Sequence, residues 1–201
     1  MGVSRSNLPA INEMALVGGR LCLDFINTTN WLDMDPVDDR LTDFSQALAW
    51  GVRVGLIRLP GEADSLDPTN RKTDPRMARL HQFRYMLRQL FVSARPPDPA
   101  TLALFNQCLR QTGGLVMAVT EKDLNFVCRS HDLSWIEAPV AYSAAELLIS
   151  PLKKRIKQCP GPRCGWLFLD SSPNNRRRWC SMATCGNKHK ARQFYGRKKE
   201  R

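Results

Sequence analysis

Cys159 and Cys164, then Cys180 and Cys185, form two C-x4-C pairs separated by fifteen residues. Paired thiolates at this spacing, joined by a stretch long enough for a hairpin, can converge on one tetrahedral ion. Four sulfurs suit zinc in a closed structural site, with no open position for water. Pro160-Gly161-Pro162 supplies the tight turn that lets the first two sulfurs face one point. The competing reading, two unrelated redox pairs, fits poorly because redox pairs use C-x-x-C spacing. The expected zinc ligands are therefore Cys159, Cys164, Cys180 and Cys185. So short a segment has little core, so the metal must supply folding energy, on the order of 10–16 kcal/mol in zinc-finger peptides. Loss of one ligand is expected to unfold only the region near the cysteines and to leave the upstream domain folded.

Basic residues surround the cysteines. Arg176-Arg177-Arg178 precede the second pair, and a basic tail follows it from Lys188 to Arg201. Residues 151–201 hold 15 Lys+Arg against 2 Asp+Glu, whereas residues 1–150 hold 15 against 17. The whole formal excess of +11 thus lies in the last quarter of the chain, as an electrostatic footprint for phosphates would. A solvated tail is the alternative for residues 196–201. Arg176, Arg177, Arg178, Lys188, Lys190, Arg192, Arg197 and Lys198 are the expected phosphate contacts. The planar fork of arginine also reads guanine, so base specificity is sought among Arg176 to Arg178. Asn187 is expected to order a helix start, with a nucleic-acid contact as the other option. His189 stands one helical turn beyond Cys185, as a spare ligand or a surface group beside phosphate.

These groups need a frame. Trp166 to Asp170 reads as one strand, Ser171 to Asn175 as a turn, and Arg176 to Trp179 as the returning strand. A helix then starts at about Thr184 or Cys185, as in treble-clef-like fingers. Upstream, residues 1–150 read as an α+β domain of several helices and a small sheet, and residues 151–201 as the finger. Leu21 to Asn27 is a buried strand or a helix start. The acidic stretch Asp33, Asp35, Asp38 and Asp39 lacks the Gly and closing Glu of a calcium loop and reads as a solvated loop. Helices follow from Thr42 or Asp43, from Asp74-Pro75, over about 100–112 and over about 138–150. In the second of these an apolar face opposes Arg76, Arg79, Arg84 and Arg88. Residues 115–120 and 124–128 read as two strands.

The run Arg177-Arg178-Trp179-Cys180-Ser181-Met182-Ala183-Thr184-Cys185-Gly186-Asn187-Lys188 resembles the CGNR zinc-finger family, and Trp166, Phe168, Asp170 and Ser172 follow its pattern. The family motif ends in Arg where this chain has Lys188, which keeps the charge and loses the bidentate fork. Leu16 to Thr28 resembles the opening of the ABATE domain, associated with stress-induced transcription regulators. The resemblance implies a C-terminal finger that binds DNA and an N-terminal domain that senses or recruits.

The expected function is a zinc-dependent DNA-binding regulator, with double-stranded DNA as partner and a small-molecule effector as a second one. An RNA-binding or protein-adaptor finger, or an enzyme housed upstream, are the alternatives. No catalytic signature is visible: His81 and His131-Asp132 stand outside any recognisable motif, so the chain is expected not to be an enzyme. An effector site is sought at Arg20, Asp24, Asn27 and Thr28, polar groups on an apolar segment; alternatively they satisfy buried backbone and one another. No apolar run reaches the ~18 residues of a membrane span. No secretory pattern opens the chain, and the free cysteines suit a reducing cytoplasm, the expected location.

Overall fold

The computed structural model describes residues 11–56, 75–110, 115–120, 123–128 and 133–199, with side chains except in 115–120, 123–128, Ser134 and 197–199. His131-Asp132 and most of the 58–75 loop lie outside this set. The fold is α+β, mostly helical, with three two-stranded antiparallel ladders among the described residues.

The Leu21–Asn27 segment resolves as a short helix, α1 (Leu21–Ile26), with every residue after Leu21 buried. An apolar run sealed on all sides shows no alternation, so its sequence does not distinguish helix from strand. β1 (Asn30–Leu32) and β2 (Asp35–Val37) follow as a hairpin where a solvated loop was expected. Its tip carries Asp33 at φ 54°, a conformation Asp tolerates. Trp31 anchors the hairpin, buried, its indole N–H donating to Ile26 O at 2.9 Å.

Helix α2 (Phe44–Arg53) starts where Asp43 accepts from the Gln46 N–H, the expected cap. In α3 (Pro75–Val92), Met77, Leu80, Phe83, Leu87 and Leu90 enter the core. Arg84 and Arg88 enter it too, which corrects their placement on the opposing polar face. The Arg84 guanidinium forks onto Asp39 and donates to Thr28 Oγ1. Arg88 lies 4.4 Å over the Trp31 ring and donates to Asp33 O. A buried cation is tolerable because each has such partners.

α4 (Pro99–Arg110) is capped by Asp98, which accepts from Thr101. β3 (Leu115–Thr120) and β4 (Asp123–Cys128) pair as expected. α5 (Ser134–Ile149) begins earlier than expected and takes Pro139 into its interior. Trp135, Ile136, Val140, Ala141, Ala144 and Leu147 bury on it, and that packing outweighs the local cost of proline.

A 3-10 turn, Pro151–Arg155, leads into β5 (Ile156–Gln158), which pairs with β6 (Leu167–Leu169). The expected return strand at Arg176 to Trp179 does not form. β6 takes its partner from upstream instead, because the Arg177 N–H is bound by the Asp170 carboxylate rather than by a ladder. β6 also joins two cores. Leu167 and Leu169 belong to the large cluster with Phe25, Trp31 and Leu87, while Phe168 belongs to the cysteine cluster. Alternate side chains of one strand thus pack on opposite sides.

Candidate metal centre and nucleic-acid interface

Two loops bring the four sulfurs together. In the first, Cys164 N–H donates to Gly161 O at 2.9 Å and Cys159 N–H to Trp166 O at 2.8 Å. Gly161 leaves room for the sulfurs, since a Cβ would lie 3.0 Å from the Cys185 sulfur and 3.4 Å from that of Cys159, tighter than ordinary contact. In the second, Ser181 caps a π-helical turn (Met182–Gly186) by accepting from Thr184 N–H, and that turn carries Cys185 into α6 (Asn187–Lys199). All four sulfurs lie within 4.8 Å of one another, and Cys180 is 3.6 Å from both Cys164 and Cys185. A tetrahedron with Zn–S of about 2.3 Å places its sulfurs about 3.8 Å apart, so the set fits zinc. Hydrogen bonds from Cys164, Cys180 and Cys185 drive the Cys159 thiol down, and the same contacts drive Cys164 and Cys180 up. A divalent cation at their centre would let all four ionise. His189 is not among them and stacks on Trp179, ring centroids 4.8 Å apart.

The segment between the pairs is held by a buried ion pair. Asp170, fully buried, accepts from Lys157 Nζ at 2.7 Å, from Ser172 N–H at 2.9 Å and hydroxyl at 2.6 Å, and from Arg177 N–H at 2.9 Å. Burial alone would raise its pKa; Lys157 and Ser172 instead hold it well below the usual carboxylate range. Arg177 is a clamp rather than a free phosphate contact. Its guanidinium lies 4.4 Å over the Phe168 ring and donates to the carbonyls of Val17, Leu169 and Cys180, with Nε donating to Trp179 O. That corrects its sequence assignment; side-chain spacing alone cannot separate an inward arginine from its two outward neighbours.

The remaining cations stand outward. Arg176, Arg178, Lys188, Lys190 and Arg192 are exposed, the last three on α6. Arg197 and Lys198 lie on its last turns, and their side chains are outside the described set. Asn187 is exposed at the start of α6, its amide donating to Ala183 O at 3.2 Å. It ties the π-turn to the helix without capping it. Phe194 and Tyr195 are 62% and 65% exposed, so α6 buries almost nothing.

The four residues expected to form an effector site are brought to a different task. Arg20 is exposed and donates to Gly19 O. Asp24 accepts from Gly18 N–H at 2.8 Å, and Thr28 donates to Phe25 O at 2.7 Å. Asn27, fully buried, closes a two-way bond with β6: its amide donates to Leu167 O and its oxygen accepts from Leu167 N–H, both at 2.8 Å. Asn27 thus bonds across the seam between the helical body and the finger, while Asp24 and Thr28 satisfy groups within the body. Trp31 N–H to Cys164 O, Trp166 Nε1 to Thr29 O, Arg88 to Gly165 O and Leu169 N–H to Gly18 O complete that seam. Gly165 sits at φ 61°, and a Cβ there would lie 2.4 Å from Trp31 O. Sequence reasoning missed Arg88, Gly165 and Lys157. A glycine directly after a ligand cysteine was the one available signal, of close backbone approach.

Two outcomes follow from the seam. Asn27→Ala leaves a buried N–H and C=O unpaired at about 1–3 kcal/mol each, so the free energy of unfolding measured by chemical denaturation should fall by about 2–6 kcal/mol. A change under 1 kcal/mol would deny Asn27 that role. Burial raises the Asp24 pKa to about 6, against the Gly18 hydrogen bond and Arg177, which lower it. Its stabilising contribution is then complete below the unfolded value of 3.8 and is lost as pH rises through 6. The Asp24 carboxyl carbon should titrate near pH 6 by NMR; a midpoint near 4 would contradict that burial.

Residues 155–198 match the CGNR zinc finger, and residues 19–151, about two thirds of the chain, match ABATE, described as "Putative stress-induced transcription regulator". The chain belongs to the ABATE family. Zinc is the cofactor of the CGNR finger, and the four clustered cysteines are suited to hold it. No curated protein matches the chain. Among the described residues, no helix is long and apolar enough to cross a membrane.

Proposed function

We propose that this ABATE protein is a transcription regulator whose finger grips double-stranded DNA by its phosphates, while the ABATE domain receives a signal or a partner. One observation carries the reading. Arg176, Arg178, Lys188, Lys190 and Arg192 are exposed on a metal-fixed frame, and no Asp or Glu occurs between Ser171 and Lys199. Cations so dense exceed what base edges use, and phosphate contacts commonly supply half or more of such an interface. The exposed Phe194 and Tyr195 add ring faces beside that charge. The family description as a transcription regulator agrees with it.

The zinc supplies rigidity. The residues themselves do the binding: Asp170 and Lys157 fix the loop bearing Arg176 and Arg178, and Ser181 and Asn187 fix the start of α6. The closed four-sulfur set leaves no position for a reacting water, which supports a structural over a catalytic role for the zinc. His81 is likewise engaged, its Nε2 2.7 Å from Leu41 O.

The test is competition at fixed salt: labelled duplex DNA challenged by unlabelled duplex DNA, duplex RNA and single-stranded RNA of one length. Duplex DNA should compete best. RNA displacing the label at lower concentration would favour the RNA-binding reading.

A further inference from the structure

Helices α3, α4 and α5 line an open cleft of about 250 Å³ that no bond of the seam or the finger uses. Phe83 and Met86 of α3 form its floor, 4% and 7% exposed, and Leu104 of α4 stands at its edge, 56% exposed. Its charged groups cancel: Arg79 and the buried Glu137 meet in a two-point fork, Nε to Oε1 at 3.0 Å and Nη2 to Oε2 at 2.9 Å. Cys108 is half-buried in the wall, and burial pushes its thiol up to about 11, so it stays neutral at physiological pH. Gln82 and Gln107 complete the lining, and both are exposed.

These groups define what fits. The space equals that of about eight waters, enough for one ring with a small substituent. A charged ligand would have to break the Arg79–Glu137 fork or enter an apolar wall unpaired, and both are costly. A neutral ring gains the faces of Phe83, Met86 and Leu104. An amide-like edge, both donor and acceptor, can bond the two carboxamides in place of water. Apolar walls with a few convergent polar groups between the helices of a bundle are the common form of a small-molecule site.

We propose that this cavity is the effector site of the ABATE domain and takes a small, uncharged, ring-bearing molecule with an amide-like edge. The proposal rests on the reading of that domain as the receiver of a signal. α5 gives the site a route to the finger: it carries Glu137, bonds α1 through Ser143 Oγ and Cys22 N–H, and continues through Pro151–Arg155 into β5.

The experiment uses the full zinc-loaded chain and three probes of one shape, benzamide (neutral), benzoate (anion) and benzamidine (cation). Binding is read from the methyl resonance of Met86 and from the alkylation rate of Cys108 by iodoacetamide. Benzamide should shift the methyl saturably, slow alkylation at least fivefold, and bind at least tenfold more tightly than either charged probe. Leu104→Trp, which fills the mouth at an exposed position, should abolish the shift, and Gln107→Leu should weaken it about tenfold. An unmoved Met86 methyl, equal binding of the three probes, or full binding by both variants would overturn the proposal. Duplex DNA affinity is measured on the same samples. Its loss with benzamide binding intact would sink the DNA reading alone, and the reverse result the effector site alone.

Discussion

Cys180→Ser protein is expected to purify without zinc and to lose the cooperative unfolding of the whole chain. Cys180 is 2% exposed and stands 3.6 Å from two of its fellow sulfurs, so serine removes a ligand that nothing nearby replaces. The metal's contribution in small fingers is on the order of 10 kcal/mol or more, comparable with the whole stability of a domain. The sequence alone suggested that the upstream domain would survive this. The seam argues otherwise. Melting the finger withdraws Leu167 and Leu169 from the large core, each worth roughly 1.5–3 kcal/mol, and strands Asn27, Trp31 N–H and Arg88 without their partners. Hydrogen exchange should show α1 amides losing protection together with those of β6. Protected α1 amides in a zinc-free variant would show that the body folds without the finger.

Lys188→Glu, Lys190→Glu and Arg192→Glu combined should lower duplex affinity by at least a thousandfold at low salt. Each change removes one phosphate contact and adds one repulsion, and all three positions are exposed on α6, where the fold has nothing to lose. Zinc content and thermal unfolding should match the wild type, which separates a lost contact from a lost structure. Arg177→Ala gives the converse: the clamp over Phe168 and its four carbonyls go unmet, so stability falls before affinity does. Affinity within twofold of wild type for the triple variant would remove α6 from the interface.

The metal centre was legible because four cysteines at short spacing have few other uses, and the helices because their apolar periodicity is long. The seam was not. Asn27 is a polar residue in an apolar run, a pattern that serves a ligand pocket and a buried backbone bond equally, and only the distance to Leu167 separates the two. The finger's ladder was misplaced for a related reason. Ile156-Lys157-Gln158 is too short and polar to announce a strand, whereas Arg176 to Trp179 lay where a hairpin return belonged. Tertiary partners decided both, Asp170 by taking the Arg177 N–H and β6 by taking β5. The acidic stretch was read as a solvated loop, and Asp33 and Asp35 are exposed; the hairpin escaped notice because strands of three residues are too short to show alternation.

The central claim, that a zinc-fixed set of outward cations is the DNA surface, is tested most directly by the salt dependence of binding to one duplex. Five exposed cations predict a slope of log affinity against log salt of about −4.5, falling to about −2 in the triple α6 variant. An affinity that does not change with salt, or a slope equal in wild type and variant, would contradict it.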